Sequence, residues 1–261
     1  MSLDQPADLV KHQNPTRDAF LGGRLTLSQP PKGFRAGLDS VLLGAAVPAS
    51  SIRLLDLGAG IGAAALVALA LGRAEGAVLA ERDAEALALA RDNVAGNGWA
   101  GRARVIEVDI EARAEDRRQA GLEDNAHDVV IANPPFFAAG QGTPAQGRYR
   151  ANARHMQAGS LDLWLRCAAA SAAAGGQAIV IYPAEGLGEV MAAFAPRFGG
   201  LTILPLAPRP GQAATRIIVR GTKGSRAPLT LRATRFLHGA SGNDFAGEFD
   251  AIFRGRAALD W

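Results

Sequence analysis

Residues 131–137, Ile-Ala-Asn-Pro-Pro-Phe-Phe, follow the apolar run His-Asp-Val-Val and break it with an amide, two prolines and two rings. Proline keeps the residue before it extended and offers no N–H, so Asn133, Pro134 and Pro135 form a rigid stretch that presents acceptors. The Asn133 side-chain oxygen and the Pro134 carbonyl could take both hydrogens of a planar amine, while Phe136 stacks on the ring that carries it. Held this way, the nitrogen lone pair turns out of conjugation, towards an electrophile. The nitrogen becomes acidic only after it attacks, so positioning and dipoles carry the chemistry without a strong general base. The plainer reading of these residues is a tight proline turn with buried rings.

A second group lies upstream. Leu-Leu-Asp-Leu-Gly-Ala-Gly-Ile-Gly at 54–62 sets Gly58, Gly60 and Gly62 between a strand and a helix, where backbone can approach a ligand closely and a helix start attracts anions. Gly58, Gly60 and Ala63 also satisfy the loose nicotinamide-cofactor pattern G-x-G-x-x-G/A. Asp56 separates the two readings: a carboxylate there disfavours a pyrophosphate but can hold an ammonium group, directly or through water. Glu81, followed by Arg82, closes the next apolar run 21 residues after Gly60, where an acid can accept from both ribose hydroxyls. Asp109 ends Val-Ile-Glu-Val-Asp and either accepts from an adenine amine or caps the segment after it.

These residues need a scaffold that brings strand ends together, and the chain reads as one. Strands expected at 52–58, 76–83, 103–110, 127–135 and 177–183 alternate with helices at 63–72, 84–98, 160–176 and 185–198. Such alternation implies a doubly wound α/β fold with a mostly parallel sheet and ligands at the strands' carboxyl ends. The last two strands, 201–208 and 215–224, are joined by a segment too short for a helical crossover and should pair antiparallel as an edge hairpin. Short strands and turns are expected at 22–37 and a small helix at 38–47. The boundaries read as an N-terminal extension over 1–48 packing on the cofactor crevice, a main domain over 49–225, and an appendage over 226–261.

The 261 residues suit one large domain, and 48% hydrophobic with 20% charged residues excludes a disordered chain. No run is long enough to span a bilayer and the leader lacks an apolar signal core, so a cytoplasmic protein without a membrane partner is expected. A single cysteine, Cys167, excludes a disulfide framework and a cysteine-rich zinc site, and no metal is expected. Within an alanine-rich helix, Cys167 reads as a small buried residue rather than a nucleophile. The net charge of +3 permits an anionic partner without demanding one. Residues 147–156 hold Arg148, Arg150, Arg154 and His155 with no acid, either a solvated loop or a phosphate-contacting arm.

The glycine turn, Glu81, Asp109 and Asn-Pro-Pro-Phe, in that order, resemble the S-adenosylmethionine-dependent methyltransferases of the N-P-P-[FY] group, which modify amide or aromatic amine nitrogens. The resemblance implies a Rossmann-like class I methyltransferase with a seven-stranded sheet, using S-adenosylmethionine and releasing S-adenosylhomocysteine. It sets Asp56, Gly58 and Gly60 at the methionine end of the cofactor, Glu81 at the ribose, Asp109 at the adenine, and Asn133 to Phe136 at the target amine, with Arg82 also expected at the cofactor.

Residues 34–45, Phe-Arg-Ala-Gly-Leu-Asp-Ser-Val-Leu-Leu-Gly-Ala, are similar to the segment ahead of the glycine turn in bacterial tRNA adenine-N6 methyltransferases that act on the anticodon loop of a valine tRNA. Arg35 and Asp39 are thereby implicated at the cofactor, and Arg148, Arg150 and Arg154 at RNA phosphates. The similarity runs from about residue 20 to 222 and departs from that family in two places, Phe136 in place of the common tyrosine and a different C-terminal tail. A flipped adenine N6 amine in tRNA is the expected acceptor. Three alternatives stand beside it. One is a protein-glutamine methyltransferase acting on a release factor, although the short leader leaves no room for the N-terminal helical domain usual in those enzymes. The others are a noncatalytic RNA-binding protein on this scaffold and a nicotinamide oxidoreductase, which leaves Asn-Pro-Pro-Phe unexplained.

Overall fold

The computed structural model of the chain describes residues 15–31, 35–136 and 160–261. Its centre is a sheet whose parallel strands are β3 (Ser51–Leu57), β4 (Ala74–Glu81), β5 (Ala103–Glu107), β6 (His127–Ala132) and β7 (Ala172–Pro183). β8 (Phe198–Ala207) and β9 (Arg216–Lys223) form the expected antiparallel hairpin. Within that hairpin β9 lies between β8 and β7, giving the order β8-β9-β7-β6-β3-β4-β5. Two short strands, β10 (Thr230–Leu231) and β11 (Arg235–Phe236), continue the sheet beyond β8 in parallel register. The break between these two strands falls opposite Leu204 and Pro205, where proline has no N–H to give a ladder.

Side-chain alternation along the strands supplies two cores. Leu54, Ile131, Ile179 and Ile218 face α1 (Leu38–Ala45), α2 (Ala63–Ala70), α3 (Ala84–Gly96) and α7 (Gly247–Phe253). Leu55, Val130, Val180 and Val219 face α5 (Ser160–Ser171) and α6 (Leu187–Phe194). Continuous apolar strands follow from burial on both faces. α4 (Ala114–Gln119), between β5 and β6, is a short helix without a buried residue, so no apolar period announces it. α5 ends at Ser171, five residues before the expected Gly176, because β7 begins at once with Ala172.

The N-terminal hairpin, β1 (Thr16–Phe20) with β2 (Leu25–Gln29), docks on α3 through two amides one turn apart. Asn97 accepts from the Thr26 N–H at 3.1 Å and donates to its carbonyl at 2.8 Å. Asn93 does the same with Ser28 at 2.6 and 3.1 Å. Residues 26 and 28 point their backbone groups to the same side of β2, so the two side chains continue its ladder where another strand is lacking. The C-terminal segment packs on the same side of the sheet: Phe249 and Ile252 of α7 join the core of α1 and α2, and the Leu259 N–H donates to the Ala45 carbonyl at 2.9 Å.

Candidate active site

Strand register brings the selected residues onto one rim. Leu57 of β3 lies opposite Ala80 of β4 and Ala132 of β6, and Glu81 lies opposite Glu107 of β5. Gly58, Glu81 and Asn133 therefore leave three adjacent strands at one level, with Asp109 two residues past the end of β5. At the usual strand spacing, Glu81 and Asn133 stand about 10 Å apart across the rim, the reach of a nucleoside-sized ligand.

The glycine turn has the backbone that requires glycine: Gly58, Gly60 and Gly62 have φ of 63°, 57° and 86°. At Gly58 there is also no room, since a Cβ would overlap the indole of Trp164 on α5. Trp164 is anchored in turn by Glu111, which accepts from its Nε1 at 3.1 Å and from the Ser160 hydroxyl. This Glu111–Trp164 pair behind the glycine turn was not legible in the sequence, because nothing local ties an acid after β5 to a helix so distant along the chain.

Glu81 is set by backbone amides. Its Oε1 accepts from the N–H groups of Arg82 and Asp83 at 2.7 and 2.9 Å, and its Oε2 accepts from Gly60 at 2.8 Å. The carboxylate plane is thus fixed against the glycine turn, and Oε2 keeps a lone pair for a further donor. Capping of α3 falls to Asp83, which accepts from Ala86 at 2.9 Å, leaving Glu81 free of that role.

Asp56 is 3% exposed and accepts from the Ala65 N–H in the first turn of α2 at 3.1 Å. Burial raises its pKa from 3.8 to about 7; the Ala65 hydrogen bond opposes the shift and the nearby Glu81 charge adds to it. A carboxylate so poorly compensated is suited to a cationic ligand group.

Asp109 turns both oxygens to Arg82 at 3.4 Å and accepts from the Glu111 N–H at 2.9 Å, so it also caps the turn after β5. Arg82 and Asp109 form the exposed end of the rim. Asn133 is half-buried and Pro134 buried, and the Phe136 ring meets Tyr182 edge-on at 6.1 Å between centroids.

The two candidates in the N-terminal extension have other partners. Arg35 pairs with Asp18 and donates to the Pro30 carbonyl at 3.2 Å. Asp39 accepts from Nε of Arg216 on β9 at 3.0 and 3.2 Å, and no side-chain hydrogen bond caps α1. Arg148, Arg150 and Arg154 lie outside the described residues. Cys167 is fully buried, and burial pushes its thiol up to about 11, which removes thiolate chemistry at neutral pH. Among the described residues no three His, Cys, Asp or Glu side chains cluster as metal ligands, and no helix is long and apolar enough to cross a membrane.

The chain is similar in sequence and fold to methyltransferases. Residues 37–161 match the family model for the methyltransferase small domain. The chain is 31% identical over 174 residues to the tRNA1(Val) (adenine(37)-N6)-methyltransferase of Klebsiella pneumoniae, a match covering 65% of this chain and 66% of that one, just under two thirds of the relative's length. It is 32% identical over 197 residues to the enzyme of the same name from Aeromonas hydrophila, covering 73% of this chain and 78% of the relative. Among solved structures, a predicted O-methyltransferase, protein Atu636 of Agrobacterium tumefaciens, matches with a TM-score of 0.71 and 36% identity over 85% of this chain and 98% of that one.

Proposed function

From the premise that the chain belongs to the methyltransferase small domain family, we propose that it moves a methyl group from S-adenosylmethionine to the N6 amine of an adenine in tRNA. The observation that carries the reading is the register of β3 and β6: Leu57 opposite Ala132 sets the glycine turn beside Asn133, the adjacency that transfer between a donor at the turn and an amine at Asn133 requires.

The described residues fit the cofactor. Asp56 offers a buried, under-compensated carboxylate to its ammonium group, with the left-handed glycine backbone beside it. Glu81 offers a fixed acceptor to the ribose hydroxyls, and Asp109, paired with Arg82, would accept from the adenine amine. Arg35 and Asp39 belong to the N-terminal extension, where they pair with Asp18 and Arg216. When bound, S-adenosylmethionine supplies an electrophilic methyl group on a sulfonium.

The acceptor side works by orientation. Asn133 Oδ1 and the Pro134 carbonyl each hold one N6 hydrogen, which directs the lone pair out of the base plane, and Phe136 stacks on the base. The amine keeps both hydrogens until the new N–C bond forms, and only then does it release a proton. Reaching the rim requires the base to leave its stack, which costs least in a single-stranded loop. The relatives' names, which specify an adenine-N6 activity on tRNA, support this acceptor over the oxygen named for the Agrobacterium protein, since two carbonyl acceptors suit an N–H2 group.

The test is methyl transfer from isotopically labelled S-adenosylmethionine to unmodified total tRNA, read by nucleoside mass spectrometry. Labelled N6-methyladenosine is expected. Cofactor binding without any labelled nucleoside would remove tRNA as the substrate and leave the glutamine amide of a release factor as the planar amine to try next.

A further inference from the structure

Phe136 is held from two sides by residues outside both the acceptor motif and the glycine turn. Tyr182, near the end of β7, meets its ring at an interplanar angle of 74°. The guanidinium carbon of Arg216 lies over the ring, 5.5 Å from its centroid. Arg216 opens β9 opposite Pro183 of β7, three residues beyond Val180, the partner of Ala132 in β6, so it belongs to the same rim as Asn133.

Arg216 is itself clamped. Its Nε donates to both oxygens of Asp39, in the first turn of α1, and its Nη1 donates to the Thr215 carbonyl at 3.0 Å. The two side chains are only 29% and 21% exposed, so solvent screens the pair weakly. A guanidinium can bond a carboxylate with its edge while its charge is drawn to the electron-rich face of a ring, and the ammonium of lysine lacks that planar fork. The contact therefore runs from α1 through Asp39 and Arg216 to the ring that ends the acceptor motif.

Resting on the methyltransferase reading above, we infer that Arg216 is a positioning residue for the acceptor: held by Asp39, it fixes the plane of Phe136 from one face and leaves the opposite face to the target base. A ring that tilts carries its stacked base with it, and the amine then misses the line to the methyl group. The inference gives the N-terminal extension a part in acceptor geometry, distinct from cofactor binding.

The experiment combines a reporter on the ring with kinetics. Phenylalanine is replaced by 4-fluorophenylalanine, and the Phe136 fluorine resonance is assigned by its loss in Phe136→Leu. The full chain is then compared with Arg216→Ala, Arg216→Lys and Asp39→Asn, together with kcat and KM for unmodified total tRNA and the affinity for S-adenosylmethionine. In Arg216→Ala the resonance moves and kcat falls by about 10- to 100-fold, the scale of a small misplacement at a reacting centre, with cofactor affinity unchanged. Arg216→Lys recovers part of kcat and Asp39→Asn shows an intermediate loss; these two carry the comparison if the alanine variant does not fold.

An unmoved resonance overturns the inference, as does an unchanged kcat in a protein whose parent methylates tRNA. If the parent transfers nothing to tRNA, the adenine acceptor is what fails, and the fluorine comparison decides alone. A moved resonance then keeps the positioning role for another flat amine, and an unmoved one removes it.

Discussion

Glu81 Oε2 accepts a hydrogen bond from the Gly60 N–H at 2.8 Å, joining the tip of β4 to the turn that leaves β3. The carboxylate is thereby a fixed part of the rim, ready to accept from a ligand without reorganising. Glu81→Ala should weaken S-adenosylmethionine binding by about 10- to 100-fold, the equivalent of roughly 1.5–3 kcal/mol for a hydrogen bond to a charged group. Isothermal titration checks this, and affinity equal to that of the parent would remove Glu81 from the cofactor site.

If Asp56 receives the ammonium group of the cofactor, binding depends on pH. With its pKa raised by burial to about 7, the group must lose a proton to receive a cation below that pH. Affinity for S-adenosylmethionine should rise, by up to about tenfold per pH unit, as pH increases towards 7, and level off above it. Asp56→Asn should abolish the slope in titrations between pH 5.5 and pH 8.5, a range chosen to span about 1.5 units either side of the Asp56 value.

The same shift has the opposite sign for folding without ligand. The folded protein keeps a proton that the unfolded chain releases above 3.8, so the Asp56 contribution to stability declines as pH rises from 3.8 to about 7. Buried His127 acts in the other direction. Burial lowers its pKa from 6.5, so its contribution is lost as pH falls below that value. Melting temperatures of Asp56→Asn and His127→Gln against pH separate the two: the first variant loses the decline towards neutral pH, the second the loss on the acid side.

Gly58→Ala should both destabilise the protein and impair cofactor binding. A φ of 63° costs an L-residue about 1–2 kcal/mol, and overpacking against Trp164 adds roughly 1–3 kcal/mol. Urea unfolding gives the stability and equilibrium dialysis the affinity. An alanine variant with the parent's midpoint would contradict the close approach to Trp164.

Asn93 is 2% exposed and bonds Ser28 through both atoms of its amide, with a further donation to the Ile61 carbonyl in the glycine turn at 3.1 Å. Removing the amide leaves these backbone groups without a partner, at about 1–3 kcal/mol for each that stays dry. Asn93→Ala should therefore loosen the hairpin, seen as faster hydrogen exchange over 25–29 than over β6. Uniform exchange in parent and variant would show that the hairpin docks by other contacts.

If Arg150 contacts phosphate, Arg150→Ala should weaken tRNA binding and lower the dependence of log affinity on log salt by roughly one unit, with cofactor affinity intact. Filter binding over a salt series tests it. An unchanged slope would leave the 147–156 segment a solvated loop.

The doubly wound fold, the left-handed glycine turn and the proline-locked Asn133 at a strand end were legible in the chain, because each rests on local rules. Apolar runs of strand length between helical periods, glycines where φ must be positive, and a proline-locked amide are short-range signals. Asp56, Gly58, Gly60, Glu81 and Asn133 could be picked out because such folds deliver strand ends to one crevice. What the chain could not reveal depends on partners distant in sequence. β9 enters between β7 and β8 because pairing order is set by packing of whole strands, not by the turn that joins them. Arg35 and Asp39 carry no local mark of their partners, and only folding sets Arg35 against Asp18 and Asp39 against Arg216, 177 residues away. Trp164 behind Gly58, Glu111 behind Trp164 and Arg216 over Phe136 are contacts between elements. Composition and periodicity decide which residues form strands and which faces are buried; only the closed sheet decides which of their ends meet.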